Sequence, residues 1–89
     1  MSIYLLDGKD MTDVTTTYNT IAEEMSFPDW FGKNLDALYD CLSVLPPDNQ
    51  IIFVNTSLML DNLGEYGEGI LSCFRDASEE CGFTLREKE

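Results

Sequence analysis

An unbroken run of β-branched and aromatic residues, Ile51-Ile52-Phe53-Val54, constrains the fold most. Such a run is typical of a strand that is buried on both faces, as strands in parallel sheets are. A strand of this kind, alternating along the chain with helical patterns, implies a parallel sheet with right-handed crossovers. A chain of 89 residues has room for one such domain, and we assign residues 1–89 to it.

The N-terminal third of the sequence predicts a strand and a helix. Residues 3–6 form a short apolar run that an Asp-Gly pair ends, which indicates another buried strand. A helix follows, with Thr12 or Asp13 as its N-cap, and Pro28 is expected to end it. The helical spacing defines one apolar face, made of Val14, Tyr18, Ile21, Ala22 and Met25.

A loop at residues 26–33 leads to a second helix, which Asn34 caps and which continues to residue 42. Beyond the run at 51–54, the predicted elements are a short helical turn at 57–63, a helix at 65–81 that Gly82 follows, a strand from 83 to 85 and a charged tail at 86–89. The sequence therefore predicts an α/β fold, with a small three-stranded parallel sheet packed by three to four helices.

The chain is strongly acidic, with 17 Asp and Glu, five Lys and Arg, and a formal net charge of −12. Self-repulsion at such a charge destabilises the compact state, whereas the same field attracts a basic partner and speeds its association. The charge argues against direct binding of nucleic acid or of an anionic membrane. Acidity also favours solubility, so the charge alone leaves both interpretations open.

The composition argues against an enzyme or a metal protein. The chain has no histidine, the commonest general base and metal ligand. Cys41, Cys73 and Cys81 form no CxxC pair, and we interpret the first two as core or boundary residues. The thiols indicate that the protein resides in a reducing compartment. The N-terminus lacks a signal-peptide pattern, and no stretch reaches the ~20 apolar residues of a membrane span. We therefore expect a cytoplasmic protein without cofactor or metal.

The helix at residues 34–43 carries the candidate site. A helical wheel separates two faces, one with Leu35, Leu38 and Leu42 toward the core, the other with Asp36, Asp40 and Ser43, and Tyr39 between them.

Asp40 is an unfavourable choice if this face meets only water. It lies toward the C-terminal end of the helix, where the helix dipole opposes a negative charge, and it repels Asp36 four residues before it. A carboxylate pair beside Trp30 and Tyr39 suits a partner that presents Arg and Lys. Solvated surface charge is the simpler alternative. A metal or acid–base site is another, although two carboxylates alone bind Mg²⁺ weakly.

Residues 27–42 read Phe-Pro-Asp-Trp-Phe-Gly-Lys-Asn-Leu-Asp-Ala-Leu-Tyr-Asp-Cys-Leu. They resemble the signature of the barstar family: apolar, Pro, acidic, two aromatics, Gly, any residue, then Asn-Leu-Asp-Ala-Leu-aromatic-Asp-x-Leu. Residues 74–77, Phe-Arg-Asp-Ala, resemble the Phe-Arg-acidic-Ala run of the family's last long helix. The size and the order of elements also match. The resemblance implies a three-stranded parallel sheet and an inhibitor of barnase-like extracellular ribonucleases in bacteria.

The same resemblance implies the contact residues. Asp40 matches the family's principal anchor, which takes the place of a substrate phosphate in the nuclease, and Asp36 matches a second contact, which meets an arginine. The partner-binding set implied in this way is Trp30, Gly32, Asn34, Asp36, Tyr39, Asp40, Ser43 and Asp76. Compared with the family's archetype, the chain has Lys33 in place of an acid and Leu45 in place of a tryptophan contact.

We therefore expect a non-enzymatic inhibitor or immunity protein that occludes a basic extracellular ribonuclease or nuclease toxin in a 1:1 complex. Two alternatives remain at this stage. One is an acidic interaction module that regulates a basic protein without nuclease activity. The other is a small hydrolase or metal-dependent enzyme that uses Asp36 and Asp40.

Overall fold

A computed structural model describes residues 2–89 of the chain. The elements follow in the order β1 (Ile3–Asp7), a 3-10 turn (Gly8–Asp10), α1 (Val14–Met25), α2 (Leu35–Leu42), β2 (Gln50–Val54), α3 (Thr56–Leu63), α4 (Glu65–Cys81) and β3 (Thr84–Glu87). The strands form one parallel sheet in the order β1-β2-β3. The predicted fold class, α/β with a three-stranded parallel sheet, is confirmed.

The helices cover one face of the sheet. Leu6, Ile51 and Phe53 point to that face and are fully buried, and the Phe53 ring meets Phe74 of α4 at 5.5 Å. On the opposite face, Ile3 and Leu5 remain 60% and 54% exposed. The prediction that residues 51–54 are buried on both faces is therefore wrong, because Ile52 and Val54 are only half-buried. The buried strand predicted at residues 3–6 is buried on one face only. An apolar run shows that a strand can be buried, but the second face stays open without a layer to cover it.

The first helix begins and ends through local backbone capping. The Asp13 carboxylate accepts a hydrogen bond from the Thr16 amide at 2.7 Å, so Asp13 is the N-cap. α1 ends at Met25, because Ser26 adopts a left-handed conformation with φ of 55°. The expected terminator, Pro28, lies three residues further on and does not itself stop the helix.

The predicted apolar faces of the long helices form most of the core. Tyr18, Ile21 and Met25 of α1 are buried, as are Ile70 and Phe74 of α4. Cys41 and Cys73 are buried too, which confirms their interpretation as core residues. α1 packs on β1, α4 on β3, and α2 on α4, so α2 belongs to the outer side of the helical layer.

The C-terminus corrects a second prediction. Residues 86–89 were expected to form a charged tail, but β3 runs to Glu87, and the Lys88 amide donates to Phe53 O at 2.8 Å. Glu87 also pairs with Arg75 of α4 through hydrogen bonds of 2.7 and 2.8 Å. Gly82 has a φ of 86° and ends α4 as predicted. Among residues 2–89, no helix is both long and apolar enough to cross a membrane.

Candidate functional site: the exposed face of α2

α2 has only eight residues, so it depends on its cap and its packing rather than on intrinsic helicity. The Asn34 side-chain oxygen accepts from the Ala37 amide at 2.8 Å, and its amide group donates to Gly32 O at 3.2 Å. Leu38 and Leu42 are fully buried on the opposite side. A short helix is thereby fixed at both its start and its inner face.

The two aspartates of α2 point to solvent. Asp36 lies in the first turn and Asp40 in the last, four residues apart, and both are exposed. The helix end is closed by Ser43, whose amide donates to Tyr39 O at 2.8 Å and whose hydroxyl donates to Asp40 O at 2.7 Å. Both carboxylates are therefore available to a partner on a rigid support.

The loop before α2 holds an exposed tryptophan between buried rings. Phe31 is buried against Tyr18, with ring centroids 5.9 Å apart, and against Phe27 at 5.1 Å. Its amide donates to Pro28 O at 3.0 Å, which closes a turn. Trp30 projects outward from this anchored turn with 81% of its surface exposed. An exposed apolar side chain indicates an interaction site when it belongs to a contiguous apolar patch, as Trp30 does in the groove described next.

A groove of about 530 Å³ separates this loop from the C-terminal part of α2. Its wall includes Trp30 and Val44, which is 79% exposed, and Asp40 is the one charged residue in the lining. The lining consists of Met25, Ser26, Phe27, Pro28, Trp30, Gly32, Ala37, Asp40, Cys41, Val44 and Leu45. A carboxylate in an otherwise apolar groove favours a partner that presents a positively charged group next to apolar surface.

Carboxylates of α4 extend the negative surface beside Tyr39 and Cys73. The pKa of Tyr39 is raised, first because its hydroxyl is shielded from water and then because Glu80, Cys81 and Asp76 lie nearby. Burial, followed by the charges of Asp76 and Asp36, raises the pKa of Cys73 to about 11. Asp76 thus lies close to α2 and joins the same acidic surface.

The structure brings the predicted site residues together on one side of the molecule, with Trp30, Gly32 and Asn34 in the loop and cap, Asp36, Tyr39, Asp40 and Ser43 along α2, and Asp76 on α4. Sequence reasoning missed Glu80 and Val44. Glu80 follows Asp76 by one helical turn, so the i, i+4 spacing was the available signal. The exposure of Val44 depends on where α2 ends and carried no local signal.

Lys33 is the positively charged residue of this surface. It is exposed, has a φ of 52°, and lines a hollow of about 230 Å³ together with Glu23 and Asp29. A left-handed conformation costs a residue with a side chain roughly 1–2 kcal/mol. A cation just before a helix N-terminus is also opposed by the dipole, by about 0.3–1 kcal/mol.

The arrangement offers carboxylates and rings but no assembled reactive group. Within the described part of the chain, no cluster of three or more His, Cys, Asp or Glu could hold a metal ion. The three cysteines are free thiols, and the one closest to the groove, Cys41, is buried, which together with Asp40 raises its pKa. A neutral thiol is a poor nucleophile.

Together, the fold and the site define a small acidic α/β protein that presents carboxylates and aromatic rings on one capped helix. The family model described as "Barstar (barnase inhibitor)" matches residues 1–89. The chain is also 32% identical over 78 residues to "Putative ribonuclease inhibitor YrdF" of Bacillus subtilis (strain 168), with 85% of each chain covered. The chain belongs to the barstar family, a family of ribonuclease inhibitors, which confirms the resemblance of residues 27–42.

Proposed function

We propose that this protein inhibits a barnase-like ribonuclease or a related nuclease toxin by inserting Asp40 into its cationic active site. The observation that carries the proposal is the exposed Asp36–Asp40 pair on a capped helix, with Asp40 lining the same groove as the exposed Trp30. Membership of the barstar family supports the class of partner. The charge of −12 supports attraction to a basic enzyme.

Occlusion follows from the chemistry of the two surfaces. A ribonuclease must hold an RNA phosphate with cationic side chains, and a carboxylate offers those cations similar acceptor oxygens. Charge-assisted hydrogen bonds between Asp40 and Arg or Lys strengthen as the groove excludes water. Asp36 and Asp76 meet further cations around the rim, and Trp30 and Tyr39 supply contact area. Substrate is then excluded, and the inhibitor itself performs no chemistry.

The neighbouring groups orient this contact in the proposed complex. Gly32 and Asn34 present backbone groups at the loop–helix junction, and Ser43 presents its hydroxyl beside Asp40. We place the protein in the bacterial cytoplasm, where it binds the nuclease 1:1 before export and so acts as an immunity protein. The three free thiols support a reducing compartment.

An acidic module that regulates a basic non-nuclease protein is the second candidate, which the net charge of −12 also favours. The neighbouring genes distinguish the two, because an adjacent nuclease toxin gene supports inhibition. The enzyme alternative built on Asp36 and Asp40 predicts heat on calorimetric titration with millimolar Mg²⁺ or Mn²⁺. The inhibitor proposal predicts none.

The direct test is inhibition of RNA cleavage by barnase and by the barnase-like ribonucleases of the source genome. We expect one of these enzymes to lose activity at a 1:1 ratio and the inhibition to compete with a mononucleotide that occupies the phosphate site. A complex that still cleaves RNA, or one that forms unchanged at saturating mononucleotide, would contradict occlusion. The absence of a complex with every enzyme of the panel would contradict the proposal itself.

A further inference from the structure

Lys33 is poorly suited to its position by every local criterion. It takes a left-handed φ of 52°, which Gly, Asn or Asp adopts more readily than Lys. It directly precedes Asn34, the N-cap of α2, where the helix dipole favours a negative group. Local folding therefore favours Asp or Asn at this position, so stability does not explain the choice of lysine.

The charge of Lys33 is also left unpaired. Glu23 and Asp29 line the same hollow, yet Lys33 forms no ion pair with any residue from 2 to 89. Of the five Lys and Arg, Lys9 pairs with Asp7 at 3.7 Å and Arg75 with Glu87 at 2.7 Å, whereas Lys33, Arg86 and Lys88 have no ion pair with residues 2–89. The ammonium group of Lys33 is thus free to meet a group on another molecule.

Lys33 flanks the surface that carries the proposed inhibition. Trp30 precedes it by three residues, and Asp36 follows it by three. Gly32, the residue directly before Lys33, lines the same groove as Trp30 and Asp40. A partner that covers Trp30 and Asp40 together therefore also approaches Lys33.

We propose that Lys33 is a specificity-determining residue that pairs with a carboxylate on the nuclease, at the rim of the cationic site that receives Asp40. This inference rests on the proposed function and adds a requirement to it. The cognate enzyme carries an Asp or Glu beside its phosphate-binding cations. A nuclease with Lys or Arg at that place is rejected by like-charge repulsion, so one residue both selects and excludes partners.

Lys33→Asn and Lys33→Asp form a matched pair for the test, because both tolerate φ > 0 and they differ in charge alone. The probe is the ribonuclease of the panel that the unmodified chain binds most tightly. We expect Lys33→Asn to weaken binding about threefold or more and Lys33→Asp about tenfold or more, since reversal replaces attraction by repulsion. We expect Lys33→Arg to stay near the unmodified affinity. We expect Lys33→Asn and Lys33→Asp to melt at or above the original temperature, because Asn and Asp suit this backbone and the helix N-terminus better than Lys, so unfolding would not explain weaker binding.

A second readout identifies the contact itself. Carbodiimide joins an amine to a carboxylate only when the two are in contact, so we expect an amide between Lys33 and an Asp or Glu of the ribonuclease, detectable by mass spectrometry. Binding within twofold for both Lys33→Asn and Lys33→Asp, while Asp40→Ala abolishes it, overturns the role of Lys33 and leaves the inhibition proposal standing. Tighter binding by Lys33→Asp overturns it as well. If Asp40→Ala also binds normally, the proposed function fails instead.

Discussion

Of the three charged residues at and before α2, only Asp36 is placed where the helix dipole favours its charge. Asp36 lies at the helix N-terminus, where the dipole stabilises it, whereas Asp40 and Lys33 each oppose the dipole. Each unfavourable placement costs about 0.3–1 kcal/mol, against a total stability of about 5–15 kcal/mol. The fold tolerates these costs, and in the proposed complex an oppositely charged surface would offset them.

Asn34 sets the orientation of this helix. We expect Asn34→Ala to lower the free energy of unfolding by about 1 kcal/mol, because the Ala37 amide loses its acceptor at 2.8 Å. For a domain of this size, that corresponds to a fall in melting temperature of roughly 4–8 °C. Asn34→Asp is the control, since it keeps the acceptor and should remain near the original melting temperature. Equal loss in both variants would show that the cap is not responsible.

The role of a single residue could be predicted where its side chain bonds to a neighbour in the chain. It could not be predicted where the residue takes an unusual backbone conformation. The Asn34 cap can be predicted from the sequence, because an asparagine directly before an apolar helical pattern typically accepts a hydrogen bond from an amide of the first turn. The left-handed backbone at Ser26 and Lys33 is not readable. Gly32 is the residue that composition would assign to such a conformation, yet Lys33 next to it has the positive φ.

The order of strands and helices could be predicted from the spacing of apolar residues, whereas the length of the last strand could not. The run of four apolar residues at 51–54 located β2, because a short run of β-branched and aromatic residues is typical of a buried strand. The inclusion of Arg86 and Glu87 in β3 depends on pairing with Ile52 and Phe53, residues far away in the chain. Charges at an edge strand carry no local strand signal, although they protect that edge from aggregation.

Two glycines test how closely the elements pack. A β-carbon at Gly8 would lie 2.1 Å from Asn55 O, a backbone atom, so we expect Gly8→Ala to destabilise the fold by about 1–3 kcal/mol or more. A β-carbon at Gly69 in α4 would meet only Leu35 Cδ1 at 3.5 Å, an ordinary contact. We expect Gly69→Ala to stabilise the fold by about 0.5–1 kcal/mol. Chemical denaturation of both variants checks these opposite signs.

For the molecule as a whole, burial of Cys73 and Tyr18 makes the free energy of unfolding fall as the pH becomes alkaline. The Cys73 thiol loses its proton near its ordinary pKa of 9.0 in the unfolded chain and at about 11 in the folded one. Its contribution is therefore complete below pH 9 and is lost as the pH rises toward 11. Burial also raises the pKa of Tyr18, which adds a loss of the same sign above pH 10.

We therefore expect the free energy of unfolding to fall between pH 9 and pH 11, and we expect Cys73→Ala to reduce that slope while lowering the overall stability. Denaturant titrations across this range provide the measurement. The same slope in Cys73→Ala as in the unmodified chain would assign the pH dependence to other groups.

The net charge of −12 governs how the molecule meets a basic partner. We expect the association rate with the ribonuclease to fall steeply as NaCl rises and the dissociation rate to change little, because salt screens long-range attraction more than contacts in a desolvated interface. Stopped-flow mixing at several salt concentrations checks this. An association rate that does not depend on salt would mean that the acidity serves solubility alone.

Asp40 is the group that we propose enters the enzyme's phosphate site. The most direct measurement is the affinity of Asp40→Ala for the inhibited ribonuclease, beside Asp61→Ala, which removes the same charge from the exposed surface of α3. Stranding the enzyme's desolvated cations costs about 3–5 kcal/mol, so Asp40→Ala should bind more than a hundredfold more weakly. Asp61→Ala should bind nearly as tightly as the unmodified chain. An affinity of Asp40→Ala within twofold of the original would contradict the role of Asp40 as the anchor of the complex.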